Sequence, residues 1–150
     1  MGYIDTLIQN CNAAKLAVPC REFVLKDLAE LDNISHAVYI IEQLEGDITA
    51  AYQDFSQYKK KKERKCAKLN FPSNTMYVGS STTGVKQQVQ QHVGDGYHGT
   101  HALHLKHWFK GNYQITIKVY DEPKDVIQII QDDISDMLKP AFGEQGDNKP

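Results

Sequence analysis

Three short runs of β-branched and aromatic residues, His36–Ile41, Thr75–Gly79 and Tyr113–Tyr120, are separated by stretches of helical periodicity. This alternation limits the available folds more than any other feature. The last run is the clearest strand, because Ile115, Ile117 and Val119 alternate with polar or amphipathic neighbours. Between the runs, Ile48, Tyr52, Phe55 and Tyr58 define one face of a helix that Asp47 or Thr49 could cap. Val85–Val93 reads as a short helix closed by Gly94, and HALHLKHWF after Thr100 as another, closed by Gly111. Pro123 and Pro140 bracket a final long helix. Before the first strand, residues 4–17 and 20–31 read as one or two helices around Pro19, with Leu25, Leu28 and Leu31 at helical spacing. The expected fold is a small α/β domain with a three-stranded, mainly antiparallel sheet flanked by helices. Its first two strands pair antiparallel across a long insertion.

A chain of 150 residues suits one domain, and 41% hydrophobic with 24% charged residues is an ordinary globular composition. No run approaches the roughly 20 apolar residues of a membrane helix. The opening MGYIDTLIQN has no basic region followed by an apolar run, so no signal peptide is expected. Cys11, Cys20 and Cys66 form no CxxC pair and read as reduced thiols of a cytoplasmic protein. The net charge of -2 hides a strong asymmetry. Residues 59–68 (KKKKERKCAK) carry seven bases against one acid, whereas residues 121–150 carry eight acids against three lysines. A basic centre and an acidic end point to a surface that faces a polyanion, with a solvated lysine face as the plain alternative.

Few residues carry an obvious chemistry. The Gly79–Gly84 loop opens a helix but lacks the GxxxxGK[ST] and GxGxxG patterns. His98, His101, His104 and His107 step by three, so a pair could share a metal, but all four cannot converge on one ion. Gln88 and His92 are four apart, hence neighbours on one helix face beside Val85 and Val89. On the last helix Ile127, Ile130, Ile134 and Leu138 form the apolar stripe, with Gln131 at its edge and Asp132, Asp133 and Asp136 on the other side. A polar group at a core edge must find a partner or line a cleft.

These pieces together resemble the GIY-YIG nuclease family. Ala37-Val38-Tyr39 resembles its first motif and Tyr77-Val78-Gly79 its second. A helix follows with His92 at the family's histidine-or-tyrosine position, and Gln131, nine residues before Pro140, stands where the family's last helix bears a glutamate. The resemblance covers roughly residues 36–143, with 43–74 as an insertion, 1–35 as an N-terminal helical extension and 144–150 as a disordered tail. It implies a metal-dependent DNA endonuclease of restriction or homing type that uses Mg²⁺ or Mn²⁺. Tyr39 and Tyr77 would face the scissile phosphate, with His92 helping to move a proton of the attacking water. The family's arginine would neutralise charge on phosphorus, and its glutamate would hold the metal.

The chain departs from the family at both charged positions. Gln88 stands for the arginine and Gln131 for the glutamate, and a neutral amide is a far weaker Mg²⁺ ligand than a carboxylate. Lys86 points about 200° away from Gln88 on a helix, and Asp132 and Asp133 have the wrong phase to replace Gln131. Losing one electrostatic stabiliser typically costs about 10²- to 10³-fold in rate, so catalysis is expected to be impaired. The asparagine often found after the last proline is also absent, with Gly143 near its place. A degenerate family member that keeps DNA binding and an engineered inactive nuclease both fit this pattern. Lys59, Lys60, Lys61, Lys62, Arg64, Lys65 and Lys86 are the candidate contacts to double-stranded DNA, positioning it without reading sequence. A restriction-type enzyme would need a homodimer to cut both strands, and the N-terminal helices are where one could form. The rival readings are a catalytically inactive nucleic-acid-binding module and a protein-interaction domain whose tyrosines are core aromatics.

Overall fold

The computed structural model describes residues 2–96 and 98–144. Four helices surround one four-stranded antiparallel sheet. In chain order the elements are α1 (Tyr3–Leu16), β1 (Arg21–Val24), β2 (Ala37–Gln43), α2 (Ile48–Lys60), β3 (Thr75–Ser81), α3 (Val85–Val93), β4 (Tyr113–Val119) and α4 (Lys124–Leu138). Short 3₁₀ turns occupy Leu28–Leu31 and Leu105–His107. The sheet order is β1-β4-β2-β3, so β2 is central and β3 forms an edge. The expected antiparallel pairing of the first two β runs is present, with Tyr39 opposite Gly79.

The sheet has four strands rather than three. Residues 21–24, expected to be helical, pair with β4 and place Phe23 opposite Ile117. The Leu25, Leu28, Leu31 spacing belongs instead to a strand end and a 3₁₀ turn. Asp27 caps that turn by accepting from the Ala29 N–H at 2.9 Å, while Glu30 accepts from the Asp27 N–H. The segment fits either helix or strand locally, and the open ladder of β4 decides it. The helix expected after Thr100 is also absent. Cys66 bridges to Ala102 in parallel, the Leu103 N–H is used by His92, and His104 adopts φ 51°. Tertiary partners take the amides that a helix would need. The four histidines therefore share no helix face, and no group of three or more His, Cys, Asp or Glu side chains suited to a metal occurs among the described residues.

The two faces of the sheet bury different sets. Ala37, Tyr39, Ile41, Ile115 and Ile117 face α2, α3, Leu103 and Phe142. Val38, Ile40 and Val78 face α4 through Val126, Ile127, Ile130 and Ile134, with Ala13, Ala14 and Ala17 of the α1 region packed alongside. The insertion is part of the first core, because Phe55 is fully buried and packs at a tilt against Phe142 and Trp108. Asp47 caps α2, accepting from the Thr49 and Ala50 N–H groups. Leu138 lies outside the buried stripe of α4, whereas Gln131 and Ser135 lie within it. Residues 145–150, most of the expected tail, lie outside the described residues. No helix among the described residues is long and apolar enough to cross a membrane.

Candidate active site

Tyr39 and Tyr77 stand on adjacent strands with their rings near-parallel, 9° apart, and centroids 6.2 Å from each other. His92 of α3 packs against both, 4.0 Å from the Tyr77 ring and 5.6 Å from the Tyr39 ring. Gln88, one helical turn earlier, reaches the same phenol. Gly79 makes this possible: Tyr39 lies across its cross-strand partner, and a Cβ on Gly79 would fall 2.5 Å from Tyr39 Cζ. Gly79 thus leaves room for Tyr39 to extend toward α3.

The hydrogen bonds at this centre run in one direction. The Leu103 backbone N–H donates to His92 Nδ1 at 3.1 Å, so that nitrogen carries a lone pair and the neutral ring holds its proton on Nε2. Nε2 donates to the Tyr39 hydroxyl oxygen at 3.1 Å. The Tyr39 O–H then donates to Gln88 Oε1 at 2.8 Å. An arginine could not end this relay, because guanidinium has no acceptor. Gln88 therefore suits the neutral phenol beside it.

Burial keeps Tyr39 and His92 of the relay, and Tyr77 packed beside them, uncharged. Tyr39 is 1% exposed, and burial, reinforced by Tyr77, raises its phenol well above the usual tyrosine range. Burial, with a smaller push from Glu144, raises Tyr77 to about 12. Burial, then His104, lowers His92 to about 3. With both ring nitrogens engaged, His92 has no free lone pair with which to take a proton from water.

The depressed His92 also sets a pH dependence. Between about pH 3 and 6.5 the unfolded chain binds a proton that the folded His92 refuses, so stability must fall as pH falls through that window. The expected slope from this group is about 1.4 kcal/mol per pH unit. Urea unfolding at pH 7, 6 and 5 should show it, and His92→Asn should flatten the profile. His104, also lowered chiefly by burial, adds to the slope in the same direction.

Gln131 is separated from the tyrosines by the sheet. It lies behind β3, where it accepts from the Ser80 hydroxyl at 2.5 Å, with its Nε2 3.5 Å from the Val78 carbonyl. The amide is neutral and its oxygen is already engaged, so the residues present do not fit a divalent cation. Ser80 and Gln88 both line a cleft of about 240 Å³ around the end of β3. Gln131 is thus one hydrogen bond from the cleft that Gln88 borders.

The candidate basic residues divide between two places. A cavity of about 820 Å³ is lined by Lys59, Lys60, Lys62, Arg64 and Lys65, with Cys66 and Leu69 among its other walls. Lys59 donates to the Ala67 carbonyl and Arg64 to the Gly96 carbonyl. Lys61 caps the end of α2. Lys86 instead pairs with Asp32 at 2.8 Å, away from this cavity. The cavity wall is wired to the tyrosine centre: the Lys65 N–H donates to the His98 carbonyl and the Ala67 N–H to the Ala102 carbonyl, next to the Leu103 amide that holds His92. Lys124 lines the Ser80–Gln88 cleft from α4. It is 36 residues from Gln88 in the chain, and no local pattern connects the two. Comparison with family models, curated proteins and solved structures finds no match to this chain.

Proposed function

We propose that the chain is a DNA-binding domain of GIY-YIG nuclease type whose phosphodiester-cleaving centre is impaired as written. The observation that carries this reading is the convergence of Tyr39, Tyr77, Gln88 and His92, which come from two strands and a helix, at one point. A Tyr39 buried only as a core aromatic would not need a relay that ends in an amide beside an open cleft, with Tyr77 packed against the same histidine. The lysine-lined cavity supports a polyanionic partner. In this reading Gln88 and the Thr82 and Thr83 hydroxyls orient a phosphodiester, and the relay fixes Gln88. The neutral, fully bonded relay and the missing carboxylate favour binding over turnover. Exposed Tyr3, Ile4, Leu7 and Ile8 of α1 give a second copy an apolar face to meet, in keeping with a homodimer.

The test restores the family's charges. Plasmid cleavage with Mg²⁺ or Mn²⁺ should be absent or slow for the chain as it stands. It should rise by 10²-fold or more in a Gln88→Arg/Gln131→Glu variant, the scale on which single electrostatic stabilisers act. Circular dichroism must accompany the assay, because arginine removes the acceptor of the Tyr39 hydroxyl. If neither folded protein cuts or binds DNA at low salt, the reading is wrong. Binding without cutting would favour the inactive nucleic-acid-binding module.

A further inference from the structure

The cleft of about 240 Å³ at the end of β3 is lined by Ser80, Thr82, Thr83 and Gln88 on one side and by Lys124 and Gln128 of α4 on the other. No carboxylate lines it, although Asp121, Glu122 and Asp125 flank Lys124 in sequence. Lys124 forms no ion pair among the described residues, whereas Lys86, Lys106 and Lys139 each have an aspartate partner. Gln88 Oε1 is occupied by Tyr39, so the free end of that side chain is its NH₂ donor. One ammonium, an amide donor and the hydroxyls of Thr82 and Thr83 around an acid-free hollow are suited to a single oxyanion, the Ser80 hydroxyl being spent on Gln131.

We infer that this cleft holds one phosphodiester group of a bound strand, with Lys124 as its counter-charge in place of the arginine absent at Gln88. The inference rests on the nucleic-acid reading above and names the residue that supplies the cation. Lys124 reaches the cleft from the opposite wall, so its charge does not disturb the Tyr39 relay as an arginine at 88 would.

The test is an NMR titration of the full chain with the dinucleotide thymidylyl-thymidine, and separately with inorganic phosphate. The amides of Thr82 and Thr83 and the Gln88 side chain are followed. The dinucleotide should give saturable shifts at these groups. Lys124→Ala should weaken it about 10- to 100-fold, the scale of a lost charged hydrogen bond. Lys124→Arg should retain it, and Lys60→Ala/Lys62→Ala should leave it unchanged. Lys124 is exposed at the start of α4, so its variants are expected to fold, and their spectra report this directly. Unchanged affinity in Lys124→Ala, or shifts confined to residues 59–65, would overturn the inference. Inorganic phosphate binding more tightly than the dinucleotide would also overturn it, assigning the cleft to free phosphate. Lys124-dependent dinucleotide binding with no cleavage by the Gln88→Arg/Gln131→Glu variant would leave this inference standing while the nuclease reading falls.

Discussion

Gly79→Ala is expected to destabilise the protein by roughly 3–5 kcal/mol, combining overpacking with the loss of buried hydrogen bonds. A new Cβ would meet the Tyr39 ring, 2.5 Å from Cζ and 2.9 Å from Cε2. That ring cannot step aside cheaply. It is fully buried, stacked beside Tyr77 and bonded through its hydroxyl to both His92 and Gln88. Displacing it leaves the His92 Nε2–H without an acceptor in a site that excludes water. Against a typical total stability of about 5–15 kcal/mol, the loss should lower the melting temperature by roughly 10 °C. Urea unfolding measures the effect. A Tyr39→Ala background isolates the cause, because there Gly79→Ala should cost little. An equal cost in both backgrounds would show that the glycine serves some purpose other than admitting the tyrosine.

Replacing Lys60, Lys61, Lys62 and Lys65 together by alanine should weaken binding to a DNA duplex by roughly 10²- to 10³-fold at moderate salt. The signature is the salt dependence more than the affinity. Each lysine that neutralises a phosphate adds about 0.9 to the slope of log affinity against log salt, so the slope should fall by about 3 to 4. None of these four lysines forms an ion pair among the described residues, so their charge is available to a partner. Fluorescence anisotropy at several salt concentrations gives both quantities. A shallow slope in the unmodified chain, or one unaltered by the substitutions, would remove the lysine cluster from the interface. Lys86→Ala should have a smaller effect, because Asp32 already neutralises that side chain.

Parts of this design are legible along the chain. Elements with a strong local period, such as α2, α3, α4 and β4, lie close to where the spacing of their apolar residues places them. Gln88 and His92 are neighbours because four residues make about one helical turn, and both meet Tyr39. Residues 20–31 and 101–109 are different. Their leucine and histidine spacings suggest helices, but β4 offers an open edge to one, and His92 and Cys66 capture the backbone of the other. In such segments local preferences are nearly balanced, and the long-range partner decides.

The sequence by itself determined an α/β domain, the antiparallel pairing of the first two β runs, the proximity of Gln88 and His92, and the concentration of positive charge in the last turn of α2 and just beyond it. These follow from periods of two and 3.6 residues and from counted charges, which are local quantities. Only the tertiary structure decided that β1 completes the sheet, that His92 is neutral and donates to Tyr39, and that Gln131 lies behind β3. It also decided that Lys86 is paired and that Lys124 borders the cleft of Gln88. Each of those depends on which distant groups compete for one amide, one lone pair or one ammonium. Such competition is settled by three-dimensional packing and leaves no periodic trace in the chain.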